Sequence, residues 1–169
     1  EMMKQKLGIY LADDDDHILI SDLEKLLVIE ETDMTIFFRE LSNVNQYSNM
    51  DDCFAIMKQA FYNENVSSEF KAVFDIWFQK YINRLKSENL SHQDRISKMH
   101  AVNPKYVLRN YMAQLAIDQA DKGDSTILYE LYEMLKKPYE AQPQYAKWYS
   151  KRPDWAREKI GCSMLSCSS

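Results

Sequence analysis

The chain ends "GCSMLSCSS", and two of its three cysteines, Cys162 and Cys167, fall in that stretch. A thiol near a chain end, among glycine and serines, is not there to fill a core, because chain ends are rarely tied down. Its chemistry would be that of a thiolate exchanging with a distant partner thiol, as a clip or a redox switch. The alternative is an inert, exposed thiol. The two cysteines are five residues apart, so the C-x-x-C spacing of thiol oxidoreductases is absent. Four acids, Asp13 to Asp16, offer oxygen ligands to a hard cation. Counted from Asp13, Glu24 takes position twelve of an EF-hand-like loop, but Ile18 stands where such a loop needs glycine. The run reads instead as the solvated start of a helix, where acids complement the helix dipole. His17, His92 and His100 lack zinc-site spacing and read as partly exposed polar residues. No metal site is expected. Arg109 in "NPKYVLRNY" can grip a phosphate or carboxylate with two donors, or pair with an acid on a neighbouring helix, and spacing favours the second.

Composition limits what these residues can belong to. At 169 residues and 46% hydrophobic, the chain can bury a sizeable core. A net charge of −5 argues against nucleic acid as the main partner. No apolar run approaches the roughly eighteen residues of a membrane span, and "EMMKQKLGIY" lacks the apolar core of a secretory signal. The first residue is Glu, which points to a piece of something longer. Three cysteines make no complete disulfide framework, so a reducing compartment is expected. The three glycines, Gly8, Gly123 and Gly161, are far apart, so no phosphate-cradling glycine loop is present. An all-β fold, with its many tight turns, is excluded by the same scarcity.

The elements that must position these residues read as helices. In "DDDDHILISDLEKLLVIE", Leu19, Leu23, Leu26 and Leu27 form a helical stripe. "ETDMTIFFREL" carries a short helix capped by Thr32 or Asp33. "NMDDCFAIMKQAFY" places Phe54, Met57 and Phe61 on one face. The clearest helix lies in "SSEFKAVFDIWFQKYINRLKSE", where Phe70, Val73, Phe74, Trp77, Tyr81 and Leu85 keep helical spacing and read as core. Ser91 caps the next helix, with Asp94 at the capping-box position. The spacing then predicts a helix capped by Asn103, with Pro104 in its first turn and Gly123 at its end. A last helix runs from Asp124 or Ser125 to the break at Pro138. The expectation is an all-α domain of seven or eight helices over residues 1–137. Residues 138–169 follow as an irregular, proline- and aromatic-rich arm.

"MHAVNPKYVLRNYMAQLAIDQADKGD", "LKKPYEAQPQYAKWYSKRPDWA" and the terminal "CSS" together resemble the C-terminal region of the selenoprotein O family. "KQKLGI", the acidic stretch with "DLEKLL", and "MTIFFRELS" follow in the same order, so the resemblance covers nearly the whole chain. It implies a protein adenylyltransferase with a kinase-like fold, which moves AMP from ATP to Ser, Thr or Tyr hydroxyls using Mg2+ or Mn2+. It also implies that Cys167 occupies the position held by selenocysteine in some eukaryotic members. In bacterial members a cysteine there is implicated in a disulfide to the core. Cys162 is a weaker candidate for that role, and Cys162 and Cys53 are the possible substitutes for its missing partner, to which nothing in the family pattern points.

The sequence has no "DFG" and no glycine-rich loop, and a kinase-like site uses both kinds of segment. In the family that the chain resembles, those parts lie upstream of this region, so the resemblance implies that the catalytic, nucleotide-binding and metal residues belong to a kinase-like domain outside this chain. The fragment alone is expected to be inactive, to pack on that domain, and to sit in the cytoplasm if bacterial or the mitochondrion if eukaryotic. Protein substrates are the expected partners, with neither nucleic acid nor membrane. The alternative is a stand-alone helical module that binds a partner protein through an apolar patch.

Overall fold

A computed structural model describes residues 1–159. The chain divides into two compact units, Glu1–Asn103 and Pro104–Ser169. The described residues are all-α. They contain no strand, only one isolated antiparallel bridge between Thr32 and Phe61.

The first unit holds α1 (Met2–Leu7), α2 (Asp16–Ile29), α3 (Met34–Glu40), α4 (Met50–Met57), α5 (Ser68–Leu85) and α6 (His92–Val102). Short 3₁₀ turns, Leu41–Asn43 and Lys58–Ala60, continue α3 and α4. Side-chain caps start four of these helices, α3 to α6, and two of the caps, Asp33 and Ser91, are ones the sequence points to. Asp33 accepts from Ile36 N, and Asn49 and Asp52 close a reciprocal capping box. Ser67 accepts from Phe70 N, and Ser91 from Asp94 N.

α5 is the axis of this unit. Its stripe of Phe70, Phe74, Trp77, Phe78, Tyr81 and Leu85 is buried. Phe74 stacks on Phe78 at 4.1 Å, and Trp77 on Tyr81 at 5.1 Å. Leu19, Leu23 and Leu26 of α2 pack against it, and Trp77 Nε1 donates to Leu19 O at 2.9 Å. Each such side chain contributes about 1.5–3 kcal/mol on burial. The aromatic run is thus core, as its spacing predicts.

The second unit holds α7 (Asn110–Ala120), α8 (Thr126–Leu135), a 3₁₀ segment (Pro143–Trp148) and α9 (Trp155–Glu158). One expected boundary is corrected here. The helix predicted from Asn103 begins at Asn110. Asn103 serves the first unit instead: its Nδ2 donates to Lys6 O at 2.9 Å and its carbonyl accepts from Arg39 at 2.9 Å. The N–H groups of Lys105 and Tyr106 both donate to Pro138 O, at 2.8 and 3.0 Å. A backbone held by these contacts cannot take helical geometry until they end. The far boundary follows the sequence. Gly123 sits just past α7 at φ 86°, and its N–H donates to Ala120 O at 2.8 Å.

The arm after Pro138 is tied to this unit by its own aromatic and amide groups. Trp148 and Ala156 are buried in the cluster formed by Tyr106, Tyr111, Met112, Ala116, Leu131 and Met134. Gln142 Nε2 donates to the carbonyls of Met134 and Lys137, both at 2.9 Å, so a buried side chain covers the open end of α8.

Candidate functional site

Cys162 and Cys167 lie outside the described residues. Just before them, α9 is anchored. The Trp155 ring meets Tyr111 edge-on at 6.1 Å, and Lys159 pairs with Asp118.

Cys53, the other thiol, is fully buried on α4. Burial, reinforced by Asp52 and Asp75, pushes its pKa up to about 11. It is therefore a protonated thiol at neutral pH and a weak nucleophile. Peptide mapping after brief iodoacetamide treatment at pH 8 should leave Cys53 unmodified in the native protein and alkylate it fully in denaturant. Equal labelling in both states would refute its burial.

The four-acid run divides by role. Asp13, Asp14 and Asp15 lead into α2 from the surface, with Asp15 N donating to Asp13 Oδ1 at 2.9 Å. Asp16 turns inward. Arg84 Nε lies 2.7 Å from Asp16 Oδ1, and Lys4 Nζ lies 2.5 Å from Oδ2. Burial alone would raise the pKa of Asp16, but the two cations outweigh it and hold the carboxyl below its ordinary value. The same Arg84 reaches Glu88 Oε1 at 2.8 Å and Leu11 O at 2.7 Å, while Glu88 accepts from Tyr10 N at 3.1 Å. The network thereby joins α1, the 8–15 loop, α2 and the end of α5.

The histidines are not brought together. His17 Nδ1 meets Asp14 O at 2.6 Å, and His100 Nε2 meets Ser42 Oγ at 2.9 Å. His92 Nδ1 lies 3.3 Å from Arg95 Nη2, and its pKa is lowered by burial and by that charge. Among the described residues, no three His, Cys, Asp or Glu side chains are placed to hold a metal. Arg109 stands at the start of α7, half-buried, in extended backbone at φ −106° and not inside a helix.

The residue that sequence reading missed is Arg95. It is buried and donates from Nη1 to Tyr81 Oη at 3.1 Å and Met99 Sδ at 3.0 Å. Nη2 donates to Ser42 O at 3.0 Å and to Val44 O. The available signal is periodicity, since Arg95 lies four residues before the buried Met99, on the same face of α6. A shallow concavity of about 370 Å³ opens beside it, lined in part by Tyr47, Glu88, Ser91 and His92. Glu88 is committed to the N–H groups of Tyr10 and Leu11 and to Arg84, and Arg95 to the carbonyls of Ser42 and Val44, so these charges hold the fold in place.

The family described as "Protein adenylyltransferase SelO" matches residues 1–136, and the chain belongs to that family. A "Protein nucleotidyltransferase YdiU" of Flavobacterium johnsoniae is 52% identical over the whole chain. Proteins of the same description from Xanthomonas campestris pv. campestris and Rhodopirellula baltica are 43% and 41% identical, over 97% and 99% of the chain. These alignments take up 33%, 31% and 33% of the relatives, so the chain spans about a third of their length.

Proposed function

We propose that this chain is the helical C-terminal third of a protein adenylyltransferase that transfers AMP from ATP to Ser, Thr or Tyr hydroxyls of target proteins. The observation that carries the reading is the 52% identity across all of this chain and 33% of a named nucleotidyltransferase. ATP and Mg2+ or Mn2+ belong to the kinase-like part upstream, because this sequence has neither a glycine-rich loop nor a DFG segment to hold them. This third seats against that core and carries Cys167, and more weakly Cys162, as a redox-sensitive tail thiol. Phosphoryl-type transfer depends mostly on positioning and electrostatics, so a tail crosslinked near the cleft would restrict it. Partners are the upstream core and protein substrates, with neither nucleic acid nor membrane. No helix of the described residues is long and apolar enough to cross a membrane. The compartment is the cytoplasm in a bacterium and the mitochondrion in a eukaryote.

The test is AMP incorporation from α-labelled ATP with Mg2+ or Mn2+, comparing the full-length product with residues 1–169, in reducing and oxidising buffer. Labelled protein from the full-length product alone is expected, with a redox difference that disappears in Cys167→Ser. Label from the fragment would place an active site in this chain. Label from neither, under both conditions, would favour a helical interaction module.

A further inference from the structure

α8 is apolar over a wider arc than it buries. Leu131 and Met134 enter the core of the second unit, with Ile127 and Leu135 partly buried beside them. Leu128, Tyr129 and Tyr132 stay 50%, 67% and 60% exposed. Leu128 and Tyr132 are one helical turn apart, so their side chains adjoin, and Tyr129 widens the stripe. A surface helix that packs on one side normally shows polar residues on the other.

Polar groups border the stripe and neutralise one another. Lys147 pairs with Glu130 at 2.7 Å, and Lys136 with Glu133 at 2.6 Å. Lys136 Nζ also lies 4.4 Å from the centre of the Tyr132 ring. What remains is an uncharged apolar strip carrying two phenol hydroxyls inside a polar rim. Such strips mark protein interfaces, where tyrosine is enriched.

The occupant follows from the length of the chain. It spans 33% of its Flavobacterium johnsoniae relative, so about two thirds of such a polypeptide lies elsewhere in the same molecule. A surface joined covalently is met at roughly millimolar effective concentration, which favours it over a second copy at micromolar concentration. The second unit also gains most from cover, because a chain of about 60 residues buries only about 60% of its surface alone.

We propose that the Leu128–Tyr129–Tyr132 face of α8 is where the rest of the parent polypeptide seats. The seat is an uncharged apolar surface with hydrogen-bond acceptors for both tyrosines. The proposal rests on the reading of this chain as part of a larger nucleotidyltransferase, but its test needs no catalysis.

The full-length product is made with the photoprobe p-benzoylphenylalanine in place of Tyr132, and separately in place of Leu128. It is irradiated at micromolar concentration and mapped by mass spectrometry. Both probes are expected to form intramolecular adducts with peptides outside residues 1–169, about ten-fold over any dimer adduct. The second probe guards against one replacement that fails to fold. Adducts mainly between copies, or no adduct from either probe in folded protein, would overturn the proposal. AMP transfer measured on the same samples separates the two readings. Adducts without transfer sink the activity, and transfer without adducts sinks this surface.

Discussion

Asp16→Asn is expected to lower the unfolding free energy at pH 7 by about 3 kcal/mol, the low end of the range for breaking a buried ion pair. The side chains of Asp16, Arg84 and Glu88 are 5%, 9% and 3% exposed, so water does little to replace a lost partner. Asn would still accept a hydrogen bond from Arg84, and Arg84 would keep Glu88, which argues for the low end. Lys4, at 20% exposure, would lose its carboxylate. The pH dependence has a definite sign. The carboxyl is held below its ordinary value in the folded chain, so the folded state binds its proton less readily than the unfolded state. Its contribution is present above the unfolded pKa of about 4 and is lost as pH falls through the lowered folded value. Urea unfolding of the parent and the variant should therefore show a gap at pH 7 that narrows by pH 3. A gap below about 1 kcal/mol at pH 7, or one unchanged at pH 3, would mean that Asp16 does not hold the 8–15 loop to α5.

Seven of the helices were legible because their apolar residues recur at helical spacing, and four of them carry local caps. Asp33, the Asn49–Asp52 box, Ser67 and Ser91 lie within three residues of the N–H groups they receive. α1 and α9 are too short to show a period, and both depend on distant contacts such as Tyr81 Oη donating to Leu7 O at 2.7 Å. The start at Asn103 was misread for a similar reason. The Asn–Pro pair is a valid helix start by local rules, and only Lys6, 97 positions before Asn103, and Pro138, which takes the N–H groups of Lys105 and Tyr106, show that this stretch is engaged elsewhere. The family resemblance was legible in "NPKYVLRNY", but residues 103–109 of this stretch form a non-helical connector ahead of α7, so the resemblance and the helical reading came from different properties of the same residues. The site residue that the resemblance implies, Cys167, lies outside the described residues. The buried charges were hidden, because an Asp or Arg in sequence carries no mark of what will face it.

Arg95→Met tests the second of those buried centres, and the expected loss is about 4 kcal/mol. The change keeps most of the side chain's length and apolar volume, so the cavity cost is small and the lost donors dominate. Ser42 O and Val44 O both take their hydrogen bonds from Arg95, at the end of α3's 3₁₀ turn and the start of the loop after it. Leaving a buried acceptor unsatisfied costs about 1–3 kcal/mol, and two of them set the expected size. Tyr81 Oη also loses a donor, although it keeps its own bond to Leu7 O at 2.7 Å. The Arg95 charge has no carboxylate within ion-pairing distance among the contacts that hold it, so the effect should change little with salt. Arg95→Lys should recover less than half of the loss. A single ammonium cannot span the carbonyls of Ser42 and Val44, the Tyr81 hydroxyl and the Met99 sulfur, which the planar guanidinium reaches together. The check is the urea midpoint of the three proteins at low and high salt. A lysine variant as stable as the parent would show that the positive charge holds this loop, and that the fork of donors does not.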